Sequence, residues 1–168
     1  MSAAIRVEAA AASDVPVLCA LLALLFSIEQ DFCPDLEKQR RGLECLLQRP
    51  ENGVILVARD MAGRHDDALP NPPKPAIGMI SVQLVISTAC GAPSAWVEDV
   101  VVAPAYRKMG IGRQLLAAAA DWANRKDARR LQLLADADNA PARSFYTRLG
   151  WQPTRLFAWR SSQGLDAS

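Results

Sequence analysis

The sequence is poor in the residues that build metal and disulfide sites. Its single histidine, His65, sits among charges and prolines, and Cys19, Cys33, Cys45 and Cys90 form no C-x-x-C pair. Zinc sites draw three or four such ligands at close spacing, so no metal is expected. The cysteines read as reduced thiols of a cytoplasmic protein, and His65 as a solvated loop residue. Charge of one sign is also lacking, because 19 Lys+Arg against 18 Asp+Glu leaves a formal net charge of +1. Without a global field to hold a polyanion, nucleic acid is not an expected partner, and phosphate recognition has to be local. Long hydrophobic runs are missing too. Val15 to Phe26 is about half of the ~20 residues that a bilayer span requires, so it reads as a buried helix rather than an anchor. No basic-then-apolar leader opens the chain, and no membrane association is expected.

What is present suits one globular domain over 1–168: 51% hydrophobic and 22% charged residues in a length that can bury a core unaided. Ile5, Val7 and Ala9 alternate as a first strand, and Ser13-Asp14 with Pro16 supplies a cap for a helix from about Asp14 to Gln30. Leu36, Leu43, Leu46 and Leu47 between charges predict a second helix ending near Pro50. Gly53 to Arg59 and Gly78 to Ser87 read as an antiparallel pair of strands, joined by a surface loop over 61–76 that carries His65 and is expected to be mobile. Ser94 to Ala103 is a further strand, Ile111 to Arg125 an amphipathic helix and Leu131 to Leu134 a short strand. Asn139 caps, and Pro141 starts, a helix that buries Ala142, Phe145, Tyr146 and Leu149 and stops at Gly150, before a last strand over Thr154 to Arg160. This order predicts a mixed α/β fold with helices on both faces of one sheet.

The strongest chemical signal is the passage from Val100-Val101-Val102 through Arg107-Lys108-Met109-Gly110 into Ile111-Gly112-Arg113, a strand that turns into the start of a helix. The first N–H groups of a helix have no internal acceptors and carry the positive end of its dipole, so a diphosphate can sit on them. Gly110 and Gly112 put no Cβ in the way, and Arg107, Lys108 and Arg113 add cationic donors. The turn lacks Gly-Lys-Ser/Thr, which excludes a Walker loop, and Leu115 stands where a dinucleotide turn has its third glycine.

At these residues the chain resembles the general-control-related N-acetyltransferase (GNAT) superfamily, whose acetyl-CoA signature Arg/Gln-x-x-Gly-x-Gly/Ala is matched by Arg107, Gly110 and Gly112. A second family element is matched by Asn139, Phe145-Tyr146 and Gly150-Trp151, so the likeness runs over 96–151 as an acetyl-CoA-binding core. The resemblance implies a mixed, mostly antiparallel sheet with a splayed central strand. It further implies that Val100, Val101 and Val102 pair with the pantetheine arm, that the Val100 N–H polarises the thioester carbonyl, and that Asn139 and Tyr146 approach the cofactor. The implied activity is transfer of acetyl from acetyl-CoA to a primary amine of a small molecule by direct attack in a ternary complex. A protein N-terminus or lysine as acceptor, or an acyl-CoA-binding module without turnover, are the alternatives, and a homodimer is left open.

Such a transfer requires a base for the ammonium, a donor for the oxyanion and an acid for the thiolate. Glu98 and Asp99 are carboxylates in an otherwise apolar strand, where an unpaired buried charge is costly, so a partner or a function is expected of them. Strand alternation points them to opposite faces unless a bulge intervenes; Glu98 is the favoured base, with Asp99 next. Tyr146 is the expected acid. Glu29, Asp31, Asp35 and Glu37 cluster where the first two helices meet and border the expected acceptor site.

Overall fold

The computed structural model describes residues 5–29, 31–62 and 74–161; His65, Gln30 and residues 63–73 of the expected loop lie outside them. The chain divides into two compact units, Met1–Leu133 and Leu134–Ser168. The first holds strands β1 (Ile5–Ala9), β2 (Gly53–Asp60), β3 (Ala76–Ser87), β4 (Ala92–Val102) and β5 (Leu131–Leu133), with helices α1 (Val15–Phe26), α2 (Leu36–Leu47) and α3 (Ile111–Arg125). The second holds α4 (Ala140–Arg148).

In the first unit the strands lie in chain order, antiparallel from β1 to β4, and β5 joins β4 in parallel. Parallel neighbours need a crossover, which α3 supplies. Helices cover both faces, which is why β2 and β3 are buried almost throughout. On one face Leu18, Leu21 and Leu22 of α1 and Leu43 of α2 pack with Ile55, Val57, Met79 and Val101. On the other lies α3, close enough to Gly78 that a Cβ there would sit 3.4 Å from Leu115 Cδ1.

Arg59 is buried in β2 and fixes the start of α1. Its guanidinium donates to Asp14 Oδ1 at 2.9 Å and Oδ2 at 2.8 Å, to Glu8 Oε1 at 2.7 Å and to Lys74 O at 2.6 Å. Asp14 is the N-cap of α1 as expected, with Pro16 in the first turn, but with Arg59 on its carboxylate it makes no side-chain capping bond to α1; it also ends a single 3-10 turn, where its Oδ2 accepts from Ala11 N at 2.8 Å. α1 also ends at Phe26, short of the expected Gln30, where the Ser27 hydroxyl donates to Leu24 O at 2.7 Å.

In the second unit Asn139 caps α4 by accepting from Ala142 N at 3.1 Å, and Gly150, at φ 84°, closes the helix as expected. The expected apolar positions Ala142, Phe145, Tyr146 and Leu149 are its half-buried ones. The expected strand over Thr154 to Arg160 does not form; this segment has no regular secondary structure. Pro153 lacks a ladder donor, and the Thr154 hydroxyl takes the Leu156 N–H at 3.4 Å in a local turn that competes with strand pairing.

Candidate active site

The turn between β4 and α3 has the backbone form that its glycines and cations suggest. Gly110 at φ 80° is the N-cap of α3, and Lys108 also has positive φ, at 63°. Two such residues so close together rotate successive peptide groups toward one side, the condition for an anion-binding nest. Gln114 N is the first to bond back into the helix, to Gly110 O at 3.1 Å, so the N–H groups of Ile111, Gly112 and Arg113 have no helical acceptor. A Cβ on Gly110 would meet nothing within 4 Å, so its glycine answers to φ rather than to packing, and the space before the turn is unobstructed. Arg107 has a structural task, its Nε donating to Val102 O at 3.1 Å and tying the turn back to the strand.

Beside this turn part of β4 has no partner strand within the first unit. β5 pairs with Ala95, Trp96 and Val97 only and reaches no further along β4. Ala103 N donates to Ile77 O at 2.8 Å, toward β3, so alternation sends the peptide groups of Val100 and Val102 to the opposite side. Within this unit that side has no strand beyond Val97. The shortness of β5 thus leaves ladder positions on Val100 and Val102 without a partner strand in this unit, with the carbonyl of Val102 engaged by Arg107.

A β-bulge determines what the same strand presents on its α1/α2 face. Ser81 pairs with Asp99 but Val82 pairs with Val97, so Glu98 is the extra residue. Both carboxylates consequently face one pocket of about 300 Å³, walled by Leu22 and Phe26 of α1, Phe32, and Gln39 and Leu43 of α2. Phe26 and Phe32 stand with ring centroids 5.5 Å apart. The two acids differ sharply in surroundings. Glu98 is exposed and accepts from the Trp96 indole N–H at 3.0 Å. Asp99 is pushed up to about 6, chiefly because burial disfavours its charge; the Ser81 hydroxyl, donating to Oδ2 at 2.5 Å, opposes the rise and the charge of Glu98 adds to it.

Of the acidic cluster expected at the helix junction, Asp35 lines the pocket, accepting from Lys38 N at 3.0 Å as the cap of α2, while Glu37 pairs with Arg40 at 2.9 Å. Asn139 and Tyr146 belong to the second unit, where the Tyr146 ring lies 5.3 Å from that of Phe145 and 5.8 Å from that of Trp151. Sequence reasoning passed over Ser81 and Gln39. Each carried a signal: Ser81 is polar inside an apolar strand, and Gln39 occupies the stripe Leu36, Leu43 and Leu46 at helical spacing. Among the described residues no group of three or more His, Cys, Asp or Glu could hold a metal ion, and no helix is long and apolar enough to cross a membrane.

Residues 22–151 match the acetyltransferase (GNAT) family. Streptothricin acetyltransferase of Streptomyces lavendulae is 44% identical over 83 residues, which are 44% of this chain and 44% of that protein. Among solved structures, a possible acetyltransferase from Clostridium difficile 630 superposes with a TM-score of 0.76 at 16% identity, covering 94% of this chain and 96% of its own. An aminoglycoside N-acetyltransferase in complex with CoA gives 0.74 at 18% identity, covering 94% of both.

Proposed function

The chain belongs to the GNAT acetyltransferase family, and from that premise we propose that it transfers acetyl from acetyl-CoA to a primary amine of a small molecule, in direct attack within a ternary complex. The observation that carries this reading is the bulge at Glu98, which gathers two consecutive carboxylates on one pocket wall, next to the part of β4 without a partner strand in the first unit. An ammonium drawn into that pocket meets negative charge at the point where it has to lose a proton.

The turn fits the diphosphate of the cosubstrate, since it combines free helix N–H groups with the cations of Lys108 and Arg113 around an unobstructed Gly110. Met109, Ile111 and Gly112 contribute backbone to the same cradle. Acetyl-CoA supplies the activated acetyl group. Val100, Val101 and Val102 offer the strand edge for an extended amide-bearing arm, and the Val100 N–H serves as the donor for the developing oxyanion.

Asp99 suits the base better than Glu98. A carboxyl raised to about 6 is mostly ionised at neutral pH yet is a stronger base than an ordinary carboxylate, whereas Glu98 stands exposed and hydrogen bonded to Trp96. In this reading Glu98 attracts the ammonium and Asp99 takes its proton. Tyr146, the residue of the family motif, protonates the departing thiolate. Asn139 has its cap to explain it, and any cofactor contact is additional.

A small acceptor is favoured over a protein terminus by the pocket's volume of about 300 Å³ and by the partial relative, whose name specifies streptothricin. A screen following CoA-thiol release with acetyl-CoA and a panel of amines tests this. The reading expects turnover of small primary amines; turnover confined to peptide N-termini or protein lysines would contradict it.

A further inference from the structure

The proposed acceptor pocket contains a polar group without a partner among the described residues: Gln39 is buried, at 7% exposure, and its Nε2 has no hydrogen-bond partner there. The other polar residues of the lining are engaged. Asp35 is bonded to Lys38 through backbone and side chain, Ser81 to Asp99, and Glu98 to Trp96. A buried donor without an acceptor is unfavourable, and leucine at this position would complete the stripe of Leu36, Leu43 and Leu46 without that penalty. One turn further along α2 is Gly42, which also lines the pocket. A Cβ there would touch nothing within 4 Å, and glycine weakens a helix interior relative to alanine, so protein packing does not require it.

We infer that Gln39 is a specificity residue whose side-chain amide donates to an oxygen of the acceptor, so that the preferred amine carries a hydroxyl or carbonyl oxygen seated against α2 while its nitrogen lies at Glu98 and Asp99. This rests on the acceptor assignment made above. The pocket's chemistry then separates into two functions on opposing walls. The carboxylates of β4 recognise the ammonium that any primary amine provides. The amide of α2 recognises what only some amines have. A site built to hydrogen-bond a substrate oxygen rejects the analogue lacking it, because the protein donor is then left buried and unpaired.

The test compares an amino alcohol with the alkylamine of equal length, with acetyl-CoA saturating, in the wild type and Gln39→Leu. The wild type is expected to favour the amino alcohol by at least about tenfold in kcat/KM, mostly through KM, and the variant is expected to collapse that ratio. Gln39→Leu is also expected to melt no lower than the wild type, because Nε2 has no partner among the described residues to lose. Turnover of both amines without preference would overturn the inference while leaving the acetyltransferase reading intact. So would a preference that survives Gln39→Leu, or a marked drop in the melting temperature of that variant. Absence of turnover on every amine would overturn the acceptor reading and this inference together.

Discussion

The Ser81 hydroxyl donates to Asp99 Oδ2 at 2.5 Å and accepts from the Asp99 N–H at 3.1 Å, so one side chain of β3 holds both ends of a residue of β4. The bond stabilises the ionised form of Asp99 against burial, whereas the neighbouring charge of Glu98 destabilises it. The two neighbours therefore predict opposite shifts. If Asp99 is the base, the rising limb of the pH profile of kcat/KM lies near pH 6 in the wild type, at higher pH in Ser81→Ala and at lower pH in Glu98→Gln. Limbs that coincide in all three proteins would separate Asp99 from the rate.

The cofactor turn predicts a binding defect with a defined origin. Gly110→Val places a β-branched residue at φ 80° and a side chain where the phosphates approach, though no protein atom lies within 4 Å of its Cβ. Acetyl-CoA affinity measured by calorimetry should fall at least tenfold, about 1.4 kcal/mol, in a protein that remains folded. Unchanged affinity would move the phosphate site elsewhere.

For Tyr146 the expectation is separation of rate from stability. Tyr146→Phe keeps the ring that packs near Phe145 and Trp151 but removes the proton. A general acid contributes roughly 10² to 10⁴-fold, so kcat should fall by that order with little change in Tm. Full turnover in the variant would make Tyr146 a packing residue and leave thiolate protonation to water.

The Arg59–Asp14 pair predicts a stability effect remote from the pocket. Both side chains are buried, and removing one partner strands the other, so Arg59→Met should cost about 3–5 kcal/mol by denaturant unfolding. Burial alone would raise the Asp14 carboxyl, but the bonds from Arg59 and the Ala11 N–H hold it below its ordinary value. Its contribution is therefore present above the unfolded carboxylate pKa and lost as pH falls through the lower folded value. Asp14→Asn should accordingly unfold at neutral pH more easily than the wild type and show a shallower decline into acid.

Periodicity and glycine placement in the sequence carried most of the secondary structure. The turn at Arg107–Arg113 was legible down to Gly110, because a strand, a positive-φ residue and a helix start are all local events. The pocket was less so. Whether Glu98 and Asp99 share a face depends on a bulge against β3, a pairing between residues far apart in sequence that strand alternation does not reveal. At the start of α1 the position was legible and the bond was not: Asp14 is the N-cap and Pro16 lies in the first turn as expected, but Arg59 in β2, far away in sequence, takes the carboxylate. Thr154 to Arg160 has the composition of a strand, and composition does not supply a partner for it.

Half-buried beside Ser81 on the pocket wall, Asp99 is proposed to accept the amine proton during acetyl transfer. The raised pKa also fixes its effect on stability. A folded-state carboxyl above its unfolded value contributes stability that is fully present below the unfolded value and lost as pH rises through about 6, so Asp99→Asn should not unfold the protein at neutral pH. The decisive measurement is CoA-thiol release by wild type and Asp99→Asn on one small primary amine across the acid and neutral range, with acetyl-CoA affinity measured on both. The account predicts that the variant binds acetyl-CoA as the wild type does, loses roughly 10² to 10⁴-fold in kcat/KM and no longer shows the limb near pH 6. A variant with wild-type turnover and the same limb would contradict it.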